Sequence, residues 1–95
     1  VTISEILREC SRDQDLVARY GGEEFLLVLP STGLDAAVIL VERIRSAVKE
    51  KTPVTFSAGI ATHREDLSFD QLVEKADQSL YVAKAEGRDR YVLAD

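Results

Sequence analysis

The chain has 95 residues, enough for a single domain (1–95) and near the lower end of what builds a core unaided. Hydrophobic residues make up 45% and charged residues 31%, an ordinary globular balance; no apolar run is long enough to cross a membrane, and no signal-peptide pattern opens the chain. The net charge of −5 argues against a nucleic-acid binder, which would carry a basic face, but leaves room for a small phosphorylated ligand held by a few local arginines.

Residues 1 to about 12 place Ile3, Ile6, Leu7 and Cys10 on one helical face. Val1 opens this pattern with no evident cap, and the chain begins without an initiator methionine, as a piece of a longer protein would. Cys10 is the single cysteine, so no internal disulfide is available. That suits a reducing cytosol, and its apolar neighbours make it a buried, inert thiol. The charged run Arg12-Asp13-Gln14-Asp15 breaks the helix. A strand follows through Tyr20, then a glycine turn, then a second strand, Phe25 to Leu29, ended by Pro30, which cannot donate to a ladder.

Thr32 can cap a second helix, with Asp35 as its partner. That helix carries Leu34, Val38, Val41, Ile44 and Val48 as a broad apolar face, and Lys49 and Lys51 suit its C-terminal dipole. Residues 53–61 read as a third strand, in which Gly59 marks a bulge or a close approach of another backbone. His63 stands alone, with no second histidine or cysteine to make a zinc site, and reads as a loop residue. Ser68 with Gln71 forms a capping box for a third helix carrying Phe69, Leu72, Val73, Ala76, Leu80 and Ala83, and Gly87 is its C-terminal cap. Arg90 to Leu93 closes as a fourth strand. The order αββαβαβ predicts a sheet covered by helices, in the α/β or α+β class. Phe25 to Leu29 is apolar on both faces, as an interior strand is, and so needs a neighbour on each side; the hairpin supplies one.

The chemistry concentrates at Tyr20-Gly21-Gly22-Glu23-Glu24-Phe25. Two strand-like runs joined through Gly-Gly read as a hairpin, because glycine supplies the positive φ of a tight turn without steric cost. Glu23 and Glu24 at its mouth are poor strand formers that repel each other. They are either a solvated hairpin tip or half of a site for a hard cation such as Mg²⁺, which takes carboxylate oxygens together with a substrate's phosphates.

These residues resemble the diguanylate cyclase domain named for its Gly-Gly-Asp-Glu-Phe signature, here Gly21-Gly22-Glu23-Glu24-Phe25, with glutamate as an accepted variant at the third position. Four further stretches resemble the family in the same order: Leu29-Pro30 with Thr32, the strand Val54 to Ala61, Ala76-Asp77, and Leu80 through Arg88. The resemblance implies an α+β sandwich of the nucleotidyl-cyclase, palm-like or ferredoxin-like type, with a mixed, mainly antiparallel sheet. It also implies the joining of two GTP molecules into cyclic di-GMP by two domains facing each other, with Mg²⁺ as cofactor. Glu23 matches the metal-ligand carboxylate, and Glu24 sits beside it as a second catalytic candidate. Gly22 matches the glycine that lets the ligand approach the turn. Lys84 and Arg88 match residues that hold the triphosphate; read without the resemblance, they are charges favourable to a helix C-terminus. Arg12-x-x-Asp15, separated from Gly21 by five residues, matches the inhibitory site where cyclic di-GMP binds, and Arg43 matches a third arginine used there. Without the resemblance, this run is a solvated connector.

The chain departs from the family at its front, where a central strand with a second metal-binding aspartate and a helix with guanine-reading residues would stand. Asp89 also replaces the usual asparagine after Gly87-Arg88. The expectation is a cytoplasmic diguanylate cyclase with product inhibition. The 95-residue piece would by itself bind cyclic di-GMP without making it, and would form a homodimer or swapped assembly through an unpaired edge beside Phe25 to Leu29. No contact with nucleic acid or membrane is expected. The alternative is a non-catalytic cyclic di-GMP receptor or dimerisation module.

Overall fold

The structure is a computed structural model that describes every residue except Val1, Asp13, Gly22 and Asp95. Helix α1 (Ile3–Cys10) is followed by strands β1 (Leu16–Arg19) and β2 (Glu24–Leu29), helix α2 (Leu34–Lys51), strand β3 (Ser57–Thr62), helix α3 (Phe69–Ala85) and strand β4 (Arg90–Leu93). This is the expected αββαβαβ order and an α+β fold.

Helix α1 does have a cap. Thr2 accepts from the Glu5 amide at 3.2 Å and Glu5 reaches back to the Thr2 amide, so two orphan donors of the first turn are satisfied reciprocally. Thr32 does not cap α2. Gly33 occupies the cap position without a side-chain bond, while Thr32 is buried in the preceding turn, where its amide donates to the Leu29 carbonyl and its carbonyl accepts from His63. His63 is the exposed loop residue expected, its Nδ1 lying 2.8 Å from the Pro30 carbonyl oxygen. Ser68 and Gln71 form the predicted capping box on α3.

The four strands lie in the order β1-β2-β3-β4. β1 and β2 pair antiparallel as a hairpin, with Arg19 opposite Phe25. β2 with β3 and β3 with β4 pair in parallel. The sheet is therefore mixed but mostly parallel, and the expected predominance of antiparallel pairing does not hold. The reason is topological: a single helix connects β2 to β3 and another connects β3 to β4, and each such crossover returns the chain in its original direction. The unpaired edge expected beside Phe25 to Leu29 is likewise absent, because β3 fills that side of β2 along its whole length, from Glu24 opposite Ser57 to Leu29 opposite Thr62.

β2 is the interior strand its apolar run implied, with Phe25 to Leu29 all buried. Its side chains alternate between two cores, as the period of two demands. Phe25, Leu27 and Leu29 face α1 and α2 with Ile3, Ile6, Leu7, Val41 and Ile44, and Cys10 is half-buried at the rim of that cluster. Leu26 and Val28 face α3 with Leu72 and Ala76. Helix α3 sits hard against β3 at Gly59. A Cβ there would overlap the Ala76 carbonyl oxygen and the Leu80 amide, both backbone atoms, so the glycine marks a close approach of two backbones and not a bulge.

Candidate active site

The hairpin tip is built from the strands upward. The Tyr20 amide donates to the Glu24 carbonyl at 2.8 Å, closing the end of the β1–β2 ladder, and Arg19 Nε donates to the Gly21 carbonyl at 3.0 Å. The Glu23 carbonyl accepts from the Ser57 amide at 2.8 Å, which ties the tip to the start of β3. The signature therefore straddles a turn and a rigid sheet: Glu23 is the last turn residue and Glu24 the first residue of an interior strand.

The two carboxylates are placed differently. Glu23 is exposed on the wall of a cleft of about 800 Å³, lined also by Thr2, Arg19, Glu24, Arg88 and the stretch from Thr52 to Ser57. Among the described residues no ion pair or side-chain hydrogen bond engages it. Glu24 is half-buried and held by two cations: Lys84 Nζ lies 3.3 Å from its Oε1, and Arg88 Nη1 donates to its Oε2 at 2.7 Å. The Arg88 hydrogen bond, followed by Lys84, holds the Glu24 carboxyl below its ordinary value of 4.5 despite some opposing desolvation. Gly21 leaves room for this arrangement, since a Cβ there would come within 3.1 Å of Glu24 Oε1.

Lys84 and Arg88 converge because of how α3 ends. The Arg88 amide donates to the Ala83 carbonyl at 2.9 Å and the Gly87 amide points to the Lys84 carbonyl at 3.4 Å, the paired bonds of a Schellman ending. Gly87 has φ 123°, as the predicted C-terminal cap, and the left-handed path continues through Arg88 (φ 62°) and Asp89 (φ 47°). That region costs an arginine energy but suits an aspartate nearly as well as an asparagine, which accounts for Asp89 in the turn. The turn swings the Arg88 side chain back over the strand carrying Glu24.

The other sequence-predicted positions are placed as follows. Gly22 lies outside the described residues. Arg12 and Asp15 close a reciprocal turn: the Arg12 amide donates to Asp15 Oδ2 at 2.9 Å, and the Asp15 amide donates to the Arg12 carbonyl at 3.0 Å. The Arg12 residue is exposed, whereas Asp15 is buried, and among the described residues its Oδ1 has no hydrogen-bond partner. Arg43 is exposed on α2, and no hydrogen bond or ion pair among the described residues joins it to Arg12 or Asp15. The structure thus brings together Glu24, Lys84 and Arg88, with Glu23 on the same cleft, and keeps the Arg12–Asp15 turn as a separate feature at the foot of β1. The pairing of Glu24 with Arg88 was not read from the sequence. It joins residues 64 positions apart, which no local spacing reports.

The family model for the diguanylate cyclase GGDEF domain matches residues 1–90 of this chain. The chain belongs to the GGDEF diguanylate cyclase family. Diguanylate cyclase A of Treponema denticola is 41% identical over 97% of this chain and 27% of its own length. Diguanylate cyclase DgcM of Escherichia coli is 42% identical over 97% of this chain and 24% of its own length. The response regulator PleD of Caulobacter vibrioides is 39% identical over 93% of this chain and 23% of its own length. The chain therefore spans about a quarter of the length of these curated relatives. No helix of the described residues is long and apolar enough to cross a membrane.

The electrostatics of this GGDEF site give a direct check. Carboxyl-detected NMR should find Glu24 titrating below 4.5, and Arg88→Ala should move that midpoint upward, because the largest stabiliser of the charged form is removed. Because its folded value is depressed, the contribution of Glu24 to stability is present above 4.5 and fades as pH falls through the lower, folded value. An unmoved midpoint in the variant would contradict the pairing.

Proposed function

We propose that the protein carrying this chain is a diguanylate cyclase that joins two GTP molecules into cyclic di-GMP in the cytosol. The observation that carries this reading is the placement of Glu23 on the cleft wall beside the Glu24–Lys84–Arg88 cluster, in a chain of this family. In the reaction, the 3′-hydroxyl oxygen of one GTP forms a bond to the α-phosphorus of the other. The bond from that phosphorus to the β-phosphate oxygen breaks, pyrophosphate leaves, and the hydroxyl proton is released. Repeating the step in the opposite sense closes the ring, which calls for two such domains facing each other as a homodimer.

The donor chemistry fits Mg²⁺. No group of three or more acidic, histidine or cysteine side chains suited to a metal occurs among the described residues, but Mg²⁺ is commonly held by one or two carboxylates together with substrate phosphates and waters. Glu23 offers one such hard oxygen donor to the cleft. When bound, the ion would neutralise charge on the transferring phosphoryl group and lower the pKa of the attacking hydroxyl. Lys84 and Arg88 offer the triphosphate a compact charge and a planar fork of donors. Gly22, matched by the resemblance to the glycine that lets the ligand approach, carries no side chain to block the phosphates. For the 95-residue chain by itself we infer ligand binding without turnover, since among the described residues the other carboxylate lining the cleft with Glu23 is Glu24, which is already paired with Lys84 and Arg88.

We further propose that Arg12 and Asp15, with Arg43, form a product-inhibition site for cyclic di-GMP. The support is the turn that exposes Arg12 beside the buried Asp15, whose carboxylate accepts from the Arg12 amide. An arginine fork suits phosphate or a guanine edge, and an aspartate accepts from guanine. Calorimetric titration of the chain with cyclic di-GMP should show saturable binding that Arg12→Ala abolishes. Equal binding by the variant would remove Arg12 from the site.

A further inference from the structure

The two carboxylates of the signature are adjacent in sequence but do different work. Glu23 is exposed and, among the described residues, has no side-chain partner; Glu24 divides its two oxygens between two cations. Three features fix that division. Glu24 opens a buried strand and is locked in register opposite Ser57. Gly21 leaves space beside its carboxylate that a Cβ would fill. Arg88 is aimed at it by a left-handed turn, a backbone state that an arginine adopts only when its surroundings hold it there.

We infer that Glu24 is a positioning residue that holds the Lys84 ammonium and the Arg88 guanidinium in a preformed cradle for a triphosphate, and is not a ligand of the metal. The inference rests on the reading of Lys84 and Arg88 as phosphate-binding groups. Its physical ground is that both cations ride on flexible stems of high rotamer entropy and repel each other when brought together. A fixed anion between them lowers the ordering cost of ligand binding, as preorganisation does generally. A metal ion on Glu24 would add a positive charge beside the two cations its oxygens already hold, an arrangement that repulsion disfavours.

The test uses the complete protein, with GTP kinetics as one readout and binding of inorganic tripolyphosphate without metal as the other. Glu24→Gln keeps the shape and removes the charge. It should raise KM for GTP and the Kd for tripolyphosphate about tenfold each, with a much smaller fall in kcat and no change in the Mg²⁺ concentration needed for half-activation. Glu24→Asp should recover part of the affinity. In an Arg88→Ala background the glutamine substitution should add little, because the partner it positions is gone. Unchanged or tighter tripolyphosphate binding would overturn the inference. So would a kcat fall with a raised Mg²⁺ requirement, which would make Glu24 a metal ligand after all. If the unsubstituted protein turns over no GTP, the proposed function fails, and the tripolyphosphate arm still decides the role of Glu24.

Discussion

Glu23→Ala in the complete protein is expected to lower cyclic di-GMP synthesis on the order of 10³-fold while leaving cyclic di-GMP binding unchanged. Charge stabilisation of the transferring phosphoryl group by a bound metal contributes several kcal/mol, and about 4 kcal/mol corresponds to roughly a thousandfold in rate. The site places this loss on Glu23 because, of the two carboxylates lining the cleft, it has no side-chain partner among the described residues, while Glu24 is paired with Lys84 and Arg88. Product binding should survive because Arg12 and Asp15 form their own turn before β1, without help from the hairpin tip. A steady-state assay with parallel calorimetry measures both. Full activity in the variant would strip Glu23 of its role. A protein that binds cyclic di-GMP but shows no synthesis even with Glu23 intact would instead be a receptor.

Gly59→Ala should be the most damaging single substitution in the scaffold. The added methyl would meet two backbone atoms of α3, at Ala76 and Leu80, and neither can move without shifting the helix. Overpacking a close-packed core in this way costs about 3 kcal/mol or more. That is a large share of the roughly 5–14 kcal/mol expected for a domain of this size. The melting temperature should fall by roughly 12–24 °C. Gly33→Ala is the matched control: the same chemical change in open space, with no atom within 4 Å. It should cost about 1 kcal/mol at most, through a poorer helix cap. Thermal melts of the two variants that coincide would show that α3 does not rest on Gly59.

The contrast between these two glycines shows what a sequence can carry. Gly59 was legible as either a bulge or a close approach, because a glycine inside an otherwise strand-forming run marks one or the other, and only the packing of α3 decides between them. Also legible were β2, whose five consecutive apolar residues from Phe25 to Leu29 required cover on both faces, and Ser68 with Gln71, a local capping pattern. Thr2 and Glu5 carry the same capping spacing at the start of the chain, and α2 is capped at Gly33, one residue after Thr32, because the backbone of Thr32 is bonded to Leu29 and His63. Leu34 and Val38 looked like part of the buried face of α2 yet are 54% and 37% exposed, since the side of the helix that meets the sheet is set by Ala37, Val41, Ile44 and Val48. Strand direction, by contrast, was legible in the order αββαβαβ: a helix between successive strands favours parallel pairing, and the resemblance to a mainly antiparallel sheet pointed the other way. At the site, the motif residues were legible one by one. The division of labour between Glu23 and Glu24 was not, because it depends on the left-handed turn that brings Arg88 across to β2.

The measurement that bears most directly on the proposed activity is product analysis after incubating the complete protein with GTP and Mg²⁺. The expected products are cyclic di-GMP and two pyrophosphates per molecule formed, with self-limitation as product accumulates. GTP left unconsumed, or converted only to GDP and inorganic phosphate, would contradict it.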